Sequence, residues 1–219
     1  MSSKRQDLLD ASEELFAARG FGNTQISEIA RVAGTGISTF YRYFDSKEAL
    51  LAALMRQLFG PLAQDLRAHR SGIESLPPTQ QISRIQQTFE LVFDALLARP
   101  SLTLTLFTSG YGASPSVTEM VWQELDALAG DLVTDLQRAQ DSGLVSIPDV
   151  LAFARGIIGI ILHLAYGHIR TGSPGREAAV DVCVRMTLGG LMTCATPMAQ
   201  LTVAPMLQIL LGRQEGASR

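Results

Sequence analysis

The sequence predicts an all-α protein in two parts, an N-terminal three-helix helix-turn-helix domain over 1–56 and a larger helical bundle over 57–219. Three observations carry that expectation. Apolar residues recur at the i, i+3, i+4, i+7 spacing of helices in nearly every segment, and no segment alternates convincingly as a strand does. Cap residues followed by proline, or by an acid three positions on, stand between those segments. Glycine or proline ends them. At 219 residues, 47 % hydrophobic and 18 % charged, the chain is ordinary globular material with room for a small domain joined to a larger one.

In Gln6 to Arg19, Leu8, Ala11, Leu15 and Phe16 line one stripe while Asp7, Asp10, Glu13 and Glu14 face away, and Gly20 stops the helix. Thr24 caps a second helix through Ile26, Ile29, Ala30 and Ala33, which Gly34-Thr35-Gly36 breaks. A two-turn helix follows, then Asp45-Ser-Lys-Glu48, a capping box that opens a long helix through Leu50, Leu51, Leu54 and Leu58. Pro77-Pro78, with Thr79 as cap, starts the next, which ends before Pro100; residues 101–112 look short and irregular. Ser114-Pro115 opens a helix to Gly143, Ser146 with Asp149 opens Val150 to Arg170, and Ser173-Pro174 opens one to about Cys194. Met206 to Leu211 is a last short helix.

Two helices joined by a tight glycine turn and packed on a preceding helix make a helix-turn-helix, whose second member enters the DNA major groove. Its rings then divide. Phe40 and Phe44, one turn apart, pack inward, leaving Ser38, Thr39, Tyr41 and Arg42 for solvent or DNA, where hydroxyls suit phosphate oxygens. Charge gives no bulk signal. The net charge is −3, the first 60 residues hold seven bases against seven acids, and a DNA contact has to come from local placement.

The segment NTQISEIARVAGTGISTFYRYFDSKEALLAAL, residues 23–54, resembles the DNA-binding domain of the TetR family of bacterial transcriptional regulators. The matching features are the Thr24 start, Glu28-Ile29-Ala30, Ala33-Gly34, Thr39 with Tyr41, Phe44, and Ser46-Lys47-Glu48-Ala49-Leu50. The resemblance implies double-stranded operator DNA as partner. Thr39, Tyr41 and Lys47 would meet phosphates, and Thr24, Gln25, Ser27, Gly36, Ile37, Ser38 and Arg42 would lie near bases or backbone. Thr35, Gly36 and Ile37 depart from the family, which favours an apolar, a small polar and a polar residue there. Periodicity alone buries Ile37 with Phe40 and Phe44; the resemblance exposes it, with a thymine methyl as its apolar partner.

The same resemblance implies a second domain that binds a small effector and forms the dimer. The stretch FARGIIGIILHLAYGHI, residues 153–169, is apolar nearly all round and carries Gly156, Gly159 and Gly167, so it is buried on several sides. With Val182, Met186, Gly189 and Gly190 of the next helix it predicts a four-helix homodimer interface. Phe89, Phe93, Leu106, Phe107, Tyr111, Met120, Trp122 and His163 form an apolar pocket set, suited to an apolar effector such as a lipid, acyl chain or hydrophobic drug. Plain core packing is the competing role for each, and for His163 a hydrogen-bonded core position.

His69, His163 and His168 lack metal-ligand spacing, and no nucleophile motif or phosphate-binding glycine loop occurs, so an enzyme, a metal and a cofactor are not expected. An interaction protein that keeps the fold without regulated DNA binding is the other alternative. Cys183 and Cys194 lie about three helical turns apart, too far to bridge, and read as reduced core thiols. The longest apolar run, Gly156 to Tyr166, falls short of the roughly 20 residues of a membrane span, and the N-terminus has no apolar leader. A cytoplasmic protein without membrane contact is expected.

Overall fold

A computed structural model of the chain describes residues 3–110, 115–197 and 199–200. Among the described residues there are nine α-helices and no strand; extended backbone pairs at one isolated bridge, Val145 with Ala195. The helices are α1 (Lys4–Arg19), α2 (Ile26–Val32), α3 (Ile37–Tyr43), α4 (Lys47–Arg70), α5 (Pro78–Ala98), α6 (Pro100–Gly110), α7 (Pro115–Asp141), α8 (Val150–Thr171) and α9 (Arg176–Thr193).

Helix starts differ from the sequence expectation in a consistent way. Thr24 is buried and donates its hydroxyl to the Gly20 and Leu15 carbonyls, so Gln25 takes the cap position of α2 and its N–H donates to the Glu28 carboxylate. Ser46, not Asp45, caps α4, accepting from the Ala49 N–H at 3.1 Å. Asp149 itself caps α8 by accepting from Ala152, while the Ser146 N–H donates to the Cys194 carbonyl beside the bridge. Residues 100–110, expected to be irregular, are the helix α6. Its threonines, unfavourable in a helix interior when they compete for backbone groups, have that competition settled: Thr103 donates to Leu96 O and Thr105 to Ser101 O, both side chains fully buried. The expected helix over 206–211 lies outside the described residues.

The chain divides into two compact units, residues 1–64 with 95–127, and residues 65–94 with 128–219. In the first, α1 is the hub: α2, α3 and α6 pack on it, around Leu8, Leu9, Phe16, Ile29 and Phe40, none measurably exposed. An Arg99–Glu13 ion pair ties the residue ahead of α6 to α1. Leu50, Leu51 and Leu54 of α4 are equally buried. Pro61 lies inside α4 and leaves the Gln57 carbonyl without its helical N–H partner.

In the second unit α8 and α9 pack together. A local core of Ala129, Leu136, Ile147 and Ala154 is flanked by Phe153, Leu191 and Cys194. Arg176, at the start of α9, holds Asp94 of α5 through two hydrogen bonds of 2.6 and 2.8 Å, which keeps that carboxyl below its ordinary value. Burial pushes the Cys183 thiol up to about 11. Since the thiolate is the nucleophile, an alkylating reagent at about pH 8 is expected to label half-buried Cys194 well before Cys183 in the native protein, and both at similar rates in denaturant, as peptide mass spectrometry will show.

Candidate nucleic-acid interface

The turn between α2 and α3 depends on Gly34. Its φ of +62° is left-handed, and the Thr35 N–H closes the turn on the Ala30 carbonyl at 2.9 Å. An added Cβ would meet no neighbour there, so the cost of Gly34→Ala is conformational, about 1–2 kcal/mol. Gly36 is different: it caps α3 with φ −94°, backbone that any residue adopts.

Helix α3 sorts its residues cleanly. Phe40 is fully buried and Phe44 nearly so, their ring centroids 5.9 Å apart. Tyr41 is 53 % exposed and Ile37 48 %, which sets Ile37 outside the core that periodicity alone would give it. Ser38 and Arg42 are exposed, Thr39 is half-buried, and Gln25 and Ser27 of the α2 start are exposed as well. The Arg42 guanidinium lies 5.0 Å from the Tyr43 ring centroid and is thereby held on the outer side of the helix. The structure therefore presents Gln25, Ser27, Gly36, Ile37, Ser38, Tyr41 and Arg42 outward, and withholds Thr24.

Two cations stand where the sequence did not indicate. Arg5, at the start of α1, sits 5.3 Å from the centroid of the Phe44 ring and so brings a guanidinium to the end of α3. The signal for it, a Lys4-Arg5 pair ahead of an acidic helix, is faint. Lys47 turns its ammonium inward, donating to Phe21 O at 2.6 Å and Thr24 O at 2.7 Å, with the Phe21 ring centroid 4.3 Å away. Desolvation pulls its pKa below the ordinary lysine value, and neighbouring Glu48 opposes the shift.

In the second unit, Gly156, Gly159, Val182 and Met186 are exposed, Met186 by 54 %. Gly167 and Gly190 serve the protomer itself: a Cβ would come within 3.0 Å of the Ser173 carbonyl at the first and 3.1 Å of the Phe153 ring at the second. Gly189 is half-buried. The expected core position of His163 is overturned, since it is exposed on the same side of α8 as Gly156 and Gly159. At 22 residues, α8 is also long and apolar enough to cross a membrane by length and composition, beyond what its uninterrupted apolar run indicates, and most of it is unburied.

The apolar pocket set is distributed over both units. Phe89 and Phe93, buried one turn apart on α5, belong to the second along with His163. Leu106 is buried in the first, which also holds half-buried Phe107 and Met120 and Trp122, 40 % exposed. Tyr111 lies outside the described residues.

A trihelical head with one helix clothed inside by rings and outside by polar and β-branched side chains defines a helix-turn-helix DNA-binding protein. The family model for bacterial regulatory proteins of the tetR family matches residues 8–54. The chain is 28 % identical over 190 residues to the HTH-type transcriptional regulator YdgC of Bacillus subtilis (strain 168), covering 86 % of this chain and 92 % of that protein. It is also 28 % identical over 190 residues to the HTH-type transcriptional activator FasR of Mycolicibacterium smegmatis, covering 86 % and 83 %. Among solved structures, the transcriptional regulator FadR from Bacillus subtilis in complex with stearoyl-CoA superposes with a TM-score of 0.69 at 20 % identity, over 84 % of this chain and 98 % of that one. Residues 8–54 are a DNA-binding domain of the tetR family of bacterial regulatory proteins, and the chain as a whole is similar to HTH-type transcriptional regulators. Its fold and relatives are those of regulators, which does not favour a helical-bundle enzyme.

Proposed function

We propose that the protein is a dimeric repressor that reads a near-palindromic operator with α2 and α3 and is released by a small, predominantly apolar effector. The observation that carries the DNA part is the two-sided sorting of α3, with Phe40 and Phe44 inward and Ile37, Ser38, Tyr41 and Arg42 outward. Residues 1–56 hold the reading surface and 57–219 the effector and dimer functions. A DNA partner puts the protein in the cytoplasm.

A second copy of the chain covers the exposed side of α8 and α9, so that Gly156, Gly159, Val182 and Met186 meet their symmetry mates. A bilayer is a poor occupant, because Arg155 and His163 stand on the exposed side of α8. For the effector, the buried aromatic pair Phe89 and Phe93 supports an apolar ligand in the second unit. That FadR was solved with stearoyl-CoA makes an acyl chain the first class to try.

Helix α4 begins beside the reading helix and continues into the second unit, so a ligand that shifts its far end changes the separation of the paired α3 helices. Half-sites about 34–36 Å apart leave little tolerance for such a shift. Effector and operator then oppose each other, and the factor by which one weakens binding of the other is the same in both directions. Fluorescence titrations of stearoyl-CoA with and without a duplex enriched from a randomised library by the wild-type protein measure that factor. A ligand that binds in the second unit yet leaves DNA affinity unchanged sinks the release mechanism.

Ile37→Ala is expected to relax base preference at one position in each half-site, by about 1 kcal/mol, without changing the salt dependence of binding. Repeating the library selection with the variant checks this: an unaltered consensus removes Ile37 from the reading surface.

A further inference from the structure

Arg5 carries its guanidinium from the first turn of α1 to the end of α3, and we propose that it is a further DNA contact, holding an operator phosphate at the rim of the groove that α3 reads. The guanidinium carbon lies 5.3 Å from the centroid of the ring of Phe44, the residue that ends α3. A guanidinium bears five N–H donors and no acceptor. Arg5 is exposed, and among the described residues no carboxylate or carbonyl takes any of those donors. Nearby cations are engaged within the protein, Lys4 with Asp7 at 3.6 Å and Arg19 with Glu28 at 2.7 Å.

The platform that presents Arg5 is fixed on both sides. Ser3 caps α1 by accepting from the Gln6 N–H at 3.3 Å, and Gln57 of α4 donates to the Gln6 side chain at 3.1 Å, so the first turn of α1 is tied down. The Phe44 ring under the guanidinium is nearly buried beside Phe40. Arg42 lies 5.0 Å from the Tyr43 ring centroid, so two guanidiniums flank the C-terminal end of α3, one from α3 itself and one from α1. In a helix-turn-helix the first residues of the second helix meet the base edges. The seven residues of α3 span about 10 Å, close to the roughly 12 Å width of the major groove, so the other end of the helix comes to the groove's rim, where the phosphates stand. A phosphate there accepts from the guanidinium fork, which adds affinity without reading a base. A role in stability alone is the competing one, since a cation is also favoured at the C-terminal end of a helix. Salt separates the two.

This inference rests on the reading role of α2 and α3 proposed above, and the two fail differently in the same experiment. Wild-type protein, Arg5→Met, Arg5→Lys and Tyr41→Ala are titrated against the library-selected duplex and a random one at several salt concentrations. Folding is verified by circular dichroism at the assay temperature. Arg5→Met keeps an unbranched side chain against the ring and removes the charge. It is expected to weaken binding to both duplexes about ten- to a hundredfold near 0.1 M salt, and the slope of log K against log salt is expected to fall in magnitude by about two per dimer. Arg5→Lys keeps the charge and is expected to retain the slope.

A wild-type slope in a folded Arg5→Met overturns the proposal whatever the affinity does, because Arg5 then serves the Phe44 ring alone. So does a changed consensus when the library selection is repeated with Arg5→Met, which would make Arg5 a base contact. Should Arg5→Met not fold, Arg5→Gln is read by the same slope. If Tyr41→Ala binds as tightly as wild type, the reading role of α3 is misassigned, and the slope of Arg5→Met still decides for Arg5.

Discussion

Met186→Arg is expected to convert the protein to monomers that lose about 10²- to 10⁴-fold in affinity for a two-half-site operator. Met186 is 54 % exposed in the single chain, so the substitution costs the protomer little by itself. Across a two-fold axis it places like charges on both subunits in a surface that dimerisation would dehydrate, and no acid on the α9 side chains around it offers a partner other than Asp181, already taken by Arg185 at 2.7 Å. Gly159→Arg tests the α8 side of the same surface, where an added Cβ has no neighbour within 4 Å. Gly190→Arg is a poor choice, since it collides with Phe153 inside the protomer. Analytical ultracentrifugation and gel-shift titration read the two effects. Variants that still sediment as dimers would show that the interface lies elsewhere.

The second large effect concerns adjacent rings of α3. Phe40→Ala is expected to cost about 3–5 kcal/mol of folding free energy, a sizeable part of the 5–15 kcal/mol that holds a typical domain together. Phe40 is fully buried and touches the Tyr41 and Phe44 rings edge-on and tilted, at 5.4 and 5.9 Å between centroids. Tyr41→Ala, one residue on, removes a ring that is half in solvent, and its stability change is expected within about 0.5 kcal/mol. Its effect falls on DNA affinity. Urea unfolding of both variants measures the contrast, and equal destabilisation would mean that the two faces of α3 are not separate.

Most of the helices were legible because their ends are marked twice, by periodicity and by punctuation. The misplaced starts share one cause. Around 24, 45 and 146 several capping side chains stand within a few residues, and composition does not say which one the backbone will use. Thr24 was lost to the end of α1, a contact with Leu15 nine positions back that no local rule reveals. Residues 100–110 looked irregular because threonine is a poor helix former in isolation, and tertiary burial of its hydroxyls overrode the propensity.

The candidate site was legible in its helical positions and not in its long-range polar contacts. Tyr41 and Arg42 stand outward as helical spacing allows once Phe40 is inside, whereas the exposure of Ile37, three positions before Phe40, is legible only through the family resemblance. Lys47 could be placed at the start of α4 from sequence, but the carbonyls it holds lie at 21 and 24, and nothing in the spacing marks them. His163 was misjudged for another reason. An apolar run signals burial without saying which of its residues face inward, so a residue on the outer side of α8 reads like one in the core.

The uncovered side of α8 and α9 also has a genetic consequence. With the dimer proposed above, a subunit defective only in its reading helix, such as Tyr41→Ala, keeps Gly159 and Met186 intact and is expected to pair with normal subunits. In a cell carrying both alleles it draws wild-type chains into mixed dimers with a single competent head, so its phenotype is dominant. A Met186→Arg subunit is expected to recruit nothing and to be recessive. Alleles of this one gene therefore sort by dominance according to the helix they strike.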